Sequence, residues 1–220
     1  MNIKINSDTV IVFDLDDTLY NELDFLRSAY KEISKKINLN DWKKIYATMF
    51  SKYRLGENVF HYLEENYKFP KEKSLALYRN HLPEIVPFAG VMEAFKSIQK
   101  LNGKIALITD GRSTTQRNKL LQLKITDFFS SIVISQEIGT TKPNLDNFRK
   151  IMQDLPASKY VYVGDNIKKD FIAPNLLNWC TIMILDSGKN IHTNDFENVD
   201  TEKLPNYYIE SIKELSFYST

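Results

Sequence analysis

Two alternating textures limit what this chain can fold into. Short, wholly apolar, β-branched runs occur at residues 10–13, 105–108, 132–134, 160–163 and 181–185, and each ends in polar residues. They lack the polar–apolar alternation of a half-exposed strand, so they read as strands buried on both faces. Between them, helical spacings cover residues 91–100, 113–123, 145–155 and 170–177. Strand alternating with helix predicts an α/β fold, a doubly wound, Rossmann-like parallel sheet with helices on both faces. Pro87 and Gly90 punctuate the entry to the first of those helices.

The segment from about Asn21 to Leu82 breaks this alternation, because it holds no strand-like run. Leu23, Leu26, Tyr30, Ile33 and Ile37 are spaced three and four apart, which predicts an amphipathic helix. Asn40 is placed to cap a second helix carrying Trp42, Ile45 and Met49 on one stripe, with Gly56 ending it. Two shorter helices follow, over residues 59–67 and 71–82. The division expected is a catalytic core of residues 1–19 and 86–220 interrupted by an all-helical cap of residues 20–85.

Composition narrows the partners. Lys and Arg number 29 against 28 Asp and Glu, a formal net charge of +1 without a charged tail, which favours neither nucleic acid nor a membrane surface. An anionic ligand must therefore be held by local groups. Cys180 is the single cysteine, which excludes an intramolecular disulfide, and it opens an apolar run where a small buried side chain fits. The first residues lack a signal-peptide core and no apolar run approaches spanning length, so a soluble cytoplasmic protein, monomer or homodimer, is expected.

The chemistry gathers where strands end. The first strand empties into Asp14-Leu-Asp16-Asp17-Thr18, and ligands of open α/β sheets bind beyond such carboxyl ends. Three carboxylates within four residues repel one another, and a hard divalent cation with oxygen ligands offsets that repulsion. The next strand delivers Thr109-Asp110-Gly111-Arg112 ahead of a helix starting near Ser113. A hydroxyl, a glycine and free N–H groups at a helix start suit a phosphate. Lys142-Pro143 follows the third strand, and Gly164-Asp165-Asn166 with Asp170 follows the fourth.

This ordered set, Asp-x-Asp-x-Thr, Thr, Lys-Pro, then Gly-Asp-x-x-x-x-Asp, resembles the haloacid dehalogenase-like superfamily over residues 10–185, and the inserted helices look like its C1-type cap. The resemblance implies a phosphohydrolase of small phosphorylated metabolites, with Mg²⁺ as cofactor. Asp14 is then the nucleophile and Asp16 the general acid and base. The Asp14 side chain, the Asp16 main-chain carbonyl and Asp165 would bind the metal, and Lys142 would add a fixed positive charge. Thr109, Asp110 and the Gly111 N–H would hold the phosphoryl group. Asn166 and Asp170 would orient metal-bound water or Lys142, and Thr18 would brace the turn.

Other residues are read from their surroundings. Arg112 either clamps an anionic substrate group or sits on the solvent side of a helix start. In the turn of residues 52–58, Arg54 is the candidate for substrate contact from the cap. His61, His81 and His192 have no partner at ligand spacing and read as surface or packing residues, and Lys168 and Lys169 as a solvated helix start. A dehalogenase needs no acid two residues after its nucleophile, so Asp16 argues against one. A phosphomutase of the β-phosphoglucomutase type would keep every core residue named. A phospho-accepting receiver module would place its phosphorylated Asp on a later strand than its acidic pair.

Overall fold

A computed structural model describes residues 1–197 and 199–219. After a short strand β1 (Asn2–Lys4), the apolar run becomes β2 (Thr9–Phe13). Four helices follow, α1 (Glu22–Ile37), α2 (Trp42–Arg54), α3 (Val59–Tyr67) and α4 (Lys71–Asn80). The chain then alternates through α5 (Val91–Lys100), β3 (Lys104–Thr109), α6 (Ser113–Leu123) and β4 (Ser131–Ile134). It continues with α7 (Ser135–Ile138), α8 (Leu145–Asp154), β5 (Lys159–Gly164), α9 (Ile172–Leu176) and β6 (Cys180–Ile184). Strands β7 (Tyr207–Ile209) and β8 (Ser216–Tyr218) complete it.

The main sheet has strand order β4-β3-β2-β5-β6-β7 and every pairing in it is parallel. Strand β2 lies between β3 and β5, so the winding reverses direction beside it and a crevice opens at its carboxyl end. The lack of alternation in the apolar runs has its explanation here, because both faces are covered. Ile11, Phe13, Ile105 and Leu107 enter one core, while Val10, Val12, Ala106 and Ile108 enter the core on the opposite face. Strands β1 and β8 pair with each other in a separate two-stranded parallel sheet.

Helices α1 to α4 surround a third apolar core that includes Leu26, Tyr30, Ile33, Ile45, Met49 and Leu63. The expected stripes of α1 and α2 are therefore the buried ones. The expected cap at Asn40 is not made. Residue Asp41 precedes α2 without a side-chain capping bond, and the Asn38 carboxamide accepts the amides of Asn40 (2.9 Å) and Asp41 (3.2 Å) instead. The expected helix over residues 170–177 is confined to α9, because residues 165–170 fold into a turn closed on the Asp170 carboxylate. No helix among the described residues is long and apolar enough to cross a membrane.

His81, just past α4, is only 5% exposed. Its ring packs 4.7 Å from that of Phe25, Nδ1 lies 2.9 Å from the Tyr78 carbonyl oxygen, and Nε2 has no partner. Burial holds its pKa below the ordinary value of 6.5. The native state thus binds fewer protons than the unfolded chain, so this contribution to stability is present above that ordinary value and is lost as pH falls toward the folded one. We expect the melting temperature of the parent, taken relative to that of His81→Leu, to fall between pH about 7.5 and about 5.5. A difference that does not change with pH would place the pH sensitivity elsewhere.

Candidate active site

The site forms at the carboxyl end of the main sheet. Asp14 directly follows β2, its amide donating to the Val163 carbonyl oxygen of β5 (2.9 Å), and it is 4% exposed. Lys142 stands beside it with its ammonium buried, Nζ 2.6 Å from Asp14 Oδ1 and 2.7 Å from Asp170 Oδ1. The Tyr162 hydroxyl lies 3.2 Å from the same nitrogen. The lysine's loop is pinned by its own amide, which donates to Asp110 Oδ1 (3.0 Å). Burial alone would lower the Lys142 pKa, but Asp14 and Asp170 hold it well above its ordinary value. Burial would likewise raise Asp170, yet Lys142 and Lys169 keep it below the usual carboxylate range. For Asp14 burial prevails over the pull of Lys142 and lifts the pKa to about 7.

Asp165, after β5, has no such partner among the described residues. Its oxygens accept from neutral donors, Thr18 Oγ1 (3.3 Å) and Asn190 Nδ2 (3.1 Å). Burial and the charges of Asp170, Asp14 and Asp17 push its pKa well above the ordinary value. One oxygen from each of Asp14, Asp165 and Asp170 falls within 4.8 Å of the others. Both oxygens of Asp170 are taken, by Lys142 and by the amides of Asp165 and Asn166. Asp165, with no cationic partner among the described residues, and the second oxygen of Asp14 therefore remain, and such a buried all-oxygen carboxylate pair fits a hard divalent cation.

Asp16 turns away from this cluster. Its Oδ1 accepts from Tyr20 (2.5 Å) and pairs with Lys119 of α6 (2.6 Å), and its Oδ2 accepts from Gln116 of α6 (2.9 Å). Burial would raise its pKa, but Lys119 and these donors hold it below the usual range. Gln116 also donates to the buried hydroxyl oxygen of Thr109 (2.6 Å), which leaves the Thr109 O–H free to donate.

The cleft over Asp14 has a volume of about 130 Å³. Asp16, Asp110, Asp165 and Asn166 line it together with Glu22, Lys169 and His192. Three expectations need correction. The Gly111 N–H is not free for a ligand, because it donates to Ser135 Oγ (2.9 Å). Arg112 is exposed and faces a separate cleft beside Arg79, outside the one over Asp14. Arg54 is exposed at the last residue of α2 and does not line that cleft. Its neighbour Tyr53 is raised in pKa by burial and by the charges of Glu22 and Asp17.

Lys169 departs from its reading as a solvated helix start, since the turn after Asp165 brings it to 3.6 Å from Asp110, whereas His192 is exposed as a surface residue and also lines the cleft. Glu22, in the first turn of α1, has its pKa lifted to about 8 by burial and by Asp16 and Asp17. Lys119 and Gln116 left a readable signal, a lysine and a glutamine on the stripe that Leu120 and Leu123 continue along the buried side of α6. Asn190 and Asn194, whose carboxamides bond the Asp165 side chain and carbonyl, left none, because they lie in a stretch without periodicity.

The profile of the haloacid dehalogenase-like hydrolases matches residues 11–184. The chain belongs to that family. It is 28% identical to the glyceraldehyde 3-phosphate phosphatase of Methanocaldococcus jannaschii, over 93% of this chain and 94% of the relative. It is 27% identical to the pyrophosphatase PpaX of Halalkalibacterium halodurans, over 71% and 74%. Among solved structures it resembles a HAD phosphatase from Thermococcus onnurineus, with a TM-score of 0.62 and 16% identity over 94% of this chain and 95% of that one.

Gly164 ends β5 where a Cβ would lie 2.7 Å from Asp170 Oδ2. Gly164→Ala must displace the carboxylate that holds Lys142, so we expect the helical and strand content to persist while turnover falls by about 10²-fold, the scale of a misplaced reacting geometry. Undiminished turnover would show that Asp170 can shift without consequence.

Proposed function

We propose that the chain is a C1-capped, Mg²⁺-dependent phosphatase that works through a phosphorylated Asp14. It is a phosphatase of small phosphate esters. The observation that carries the mechanism is the placement of a buried Asp14 carboxylate against the Lys142 ammonium at 2.6 Å, beside an Asp165 that has no cationic partner among the described residues.

Asp14 Oδ attacks phosphorus as the bond to the leaving oxygen breaks, giving an aspartyl phosphate and an alkoxide that Asp16 protonates. A water then gives its proton to Asp16 and attacks phosphorus, which releases inorganic phosphate and restores the Asp14 carboxylate. Lys119 keeps the resting Asp16 ionised, the form the second step requires; a phosphate ester entering as its monoanion passes Asp16 the proton needed for the first step, and the proton Asp16 takes from water in the second leaves with the product phosphate, which restores the ionised carboxylate. Thr109 donates its free O–H to a phosphoryl oxygen, and Lys142 sets fixed positive charge beside the point where negative charge meets negative charge. Mg²⁺ would be held by the carboxylates of Asp14 and Asp165 and the carbonyl of Asp16, and when bound it shields the anionic nucleophile from the anionic phosphoryl group. The substrate side of the cleft, with Glu22, Lys169 and His192, suits a small polar metabolite.

We expect Asp14→Asn to lower phosphate release by on the order of 10⁴-fold or more while the melting temperature stays near that of the parent, since the amide cannot serve as nucleophile. Near-parental turnover by folded variant would refute the assignment. Chelator-treated protein should be inactive and regain activity with Mg²⁺ but not with Ca²⁺, which tolerates looser and higher coordination. Asp165→Ala should raise the Mg²⁺ concentration required; full activity in excess chelator would remove the metal from the mechanism.

A further inference from the structure

Lys119 is 3% exposed, and a lysine at that depth has to be held by something. Its ammonium meets one carboxylate, Asp16 Oδ1 at 2.6 Å, and lies over the ring faces of Phe25 (4.5 Å to the centroid) and Tyr20 (5.8 Å). Gln116, one helical turn earlier on the same face of α6, donates to the other oxygen of Asp16. The carboxylate is therefore gripped at both oxygens by one helix. Helix α6 begins just after the strand that delivers Thr109, and the Gln116 carboxamide bonds both Thr109 and Asp16.

The same helix also holds the cap. Thr115 donates to the Arg79 carbonyl oxygen (2.9 Å), and the Asn118 carboxamide lies 3.2 Å from the carbonyl oxygens of Asn80 and His81, on the segment returning from α4. Phe25, whose ring covers the Lys119 ammonium, belongs to α1, the first cap helix. Along α6, residues 115 and 118 thus face the cap's return while 116 and 119 face Asp16. An ion pair that served only to seat α6 would not require a second donor on the same carboxylate or an aromatic roof from another unit.

We propose that Lys119 is a positioning residue that acts through Asp16, fixing the carboxylate where it exchanges protons and tying that position to the cap through Phe25. The assignment rests on the acid–base reading of Asp16 given above. Removing the ammonium leaves Asp14, Lys142 and Asp165 in place, so attack on phosphorus continues. What is lost is the aimed proton. In the phosphoryl-transfer step, substrates whose leaving group needs that proton suffer and those whose leaving group departs unaided do not, while the later hydrolysis of the aspartyl phosphate is slowed alike for both.

The test is a double-mutant cycle on the full chain with Mg²⁺, using Asp16→Ala, Lys119→Met and the pair, with glycerol phosphate and p-nitrophenyl phosphate as substrates. Lys119→Met should lower kcat/KM on glycerol phosphate by roughly 10- to 100-fold, within the usual worth of a positioned acid–base group, and change kcat/KM on the nitrophenyl ester by no more than about threefold, because kcat/KM reports the steps up to phosphoryl transfer and not the shared hydrolysis of the aspartyl phosphate. In the Asp16→Ala background the same substitution should add no further loss in kcat/KM. Losses in kcat/KM that multiply across the pair, or that fall equally on both esters, would overturn the assignment. Asp16→Ala alone reports on the underlying reading: if it slows neither ester, that reading and this one fall together, whereas a leaving-group-dependent loss in Asp16→Ala with a multiplicative pair overturns Lys119 only. Should Lys119→Met fold poorly, Phe25→Leu provides the second arm, with the same selective loss on glycerol phosphate expected and an equal loss on both esters contradicting the account.

Discussion

The structure is organised around a lysine with no exposed side-chain surface, held between two carboxylates. Lys142 sits 2.6 Å from Asp14 and 2.7 Å from Asp170, and each contact is made where a strand of the main sheet runs out. A buried ammonium is tolerated only when it is paired and hydrogen-bonded, so the surrounding chain has little freedom. Asp110 fixes the lysine's backbone, Tyr162 approaches its nitrogen, and Asp170 spends its remaining oxygen on the amides of Asp165 and Asn166. Gly164 is required because that carboxylate occupies the place of its Cβ. One ion pair thus ties the ends of β2, β3 and β5 to the Lys-Pro loop, and in doing so aims Asp14 into the crevice.

Charge explains why the arrangement is incomplete without a ligand. Asp14, Asp165, Asp17 and Glu22 lie close together, and burial raises the pKa of each. Lys142 answers Asp14 and Asp170, and Lys119 answers Asp16. Asp165 has only Thr18 and Asn190. A fold that buries carboxylates in excess of ammonium groups is stabilised by whatever cation enters, and the same excess would repel an anionic ester unless that cation were present. In the proposed mechanism, metal binding and substrate binding would thereby be linked by electrostatics.

Much of this was legible in the sequence. The five long strands and the helices between them followed from apolar runs without alternation, and the acidic, threonine, lysine and glycine–aspartate fragments fell at strand ends because chain order alone sets them there. Three-residue strands such as β1, β7 and β8 carry too little pattern to detect. Side-chain direction was the harder matter. The reading of Gly111 as an open amide failed because Ser135, on a distant segment, reaches it. Arg112 and Arg54 were chosen for charge near a turn, a criterion that does not say which cleft a turn faces. Lys119 was legible only as a lysine on the buried stripe of α6, and its partner lies about a hundred positions away.

The central claim is that Asp14 carries the phosphoryl group. Acid-quenching the enzyme during steady-state turnover of a phosphoryl-labelled ester with Mg²⁺, followed by peptide mapping, tests it most directly, because an acyl phosphate survives brief exposure to acid. The account predicts label on the peptide containing Asp14, absent in Asp14→Asn and accumulating to a higher level when the base at position 16 is removed. Label on a different residue, or steady release of phosphate with no labelled protein even when the base is removed, would contradict it.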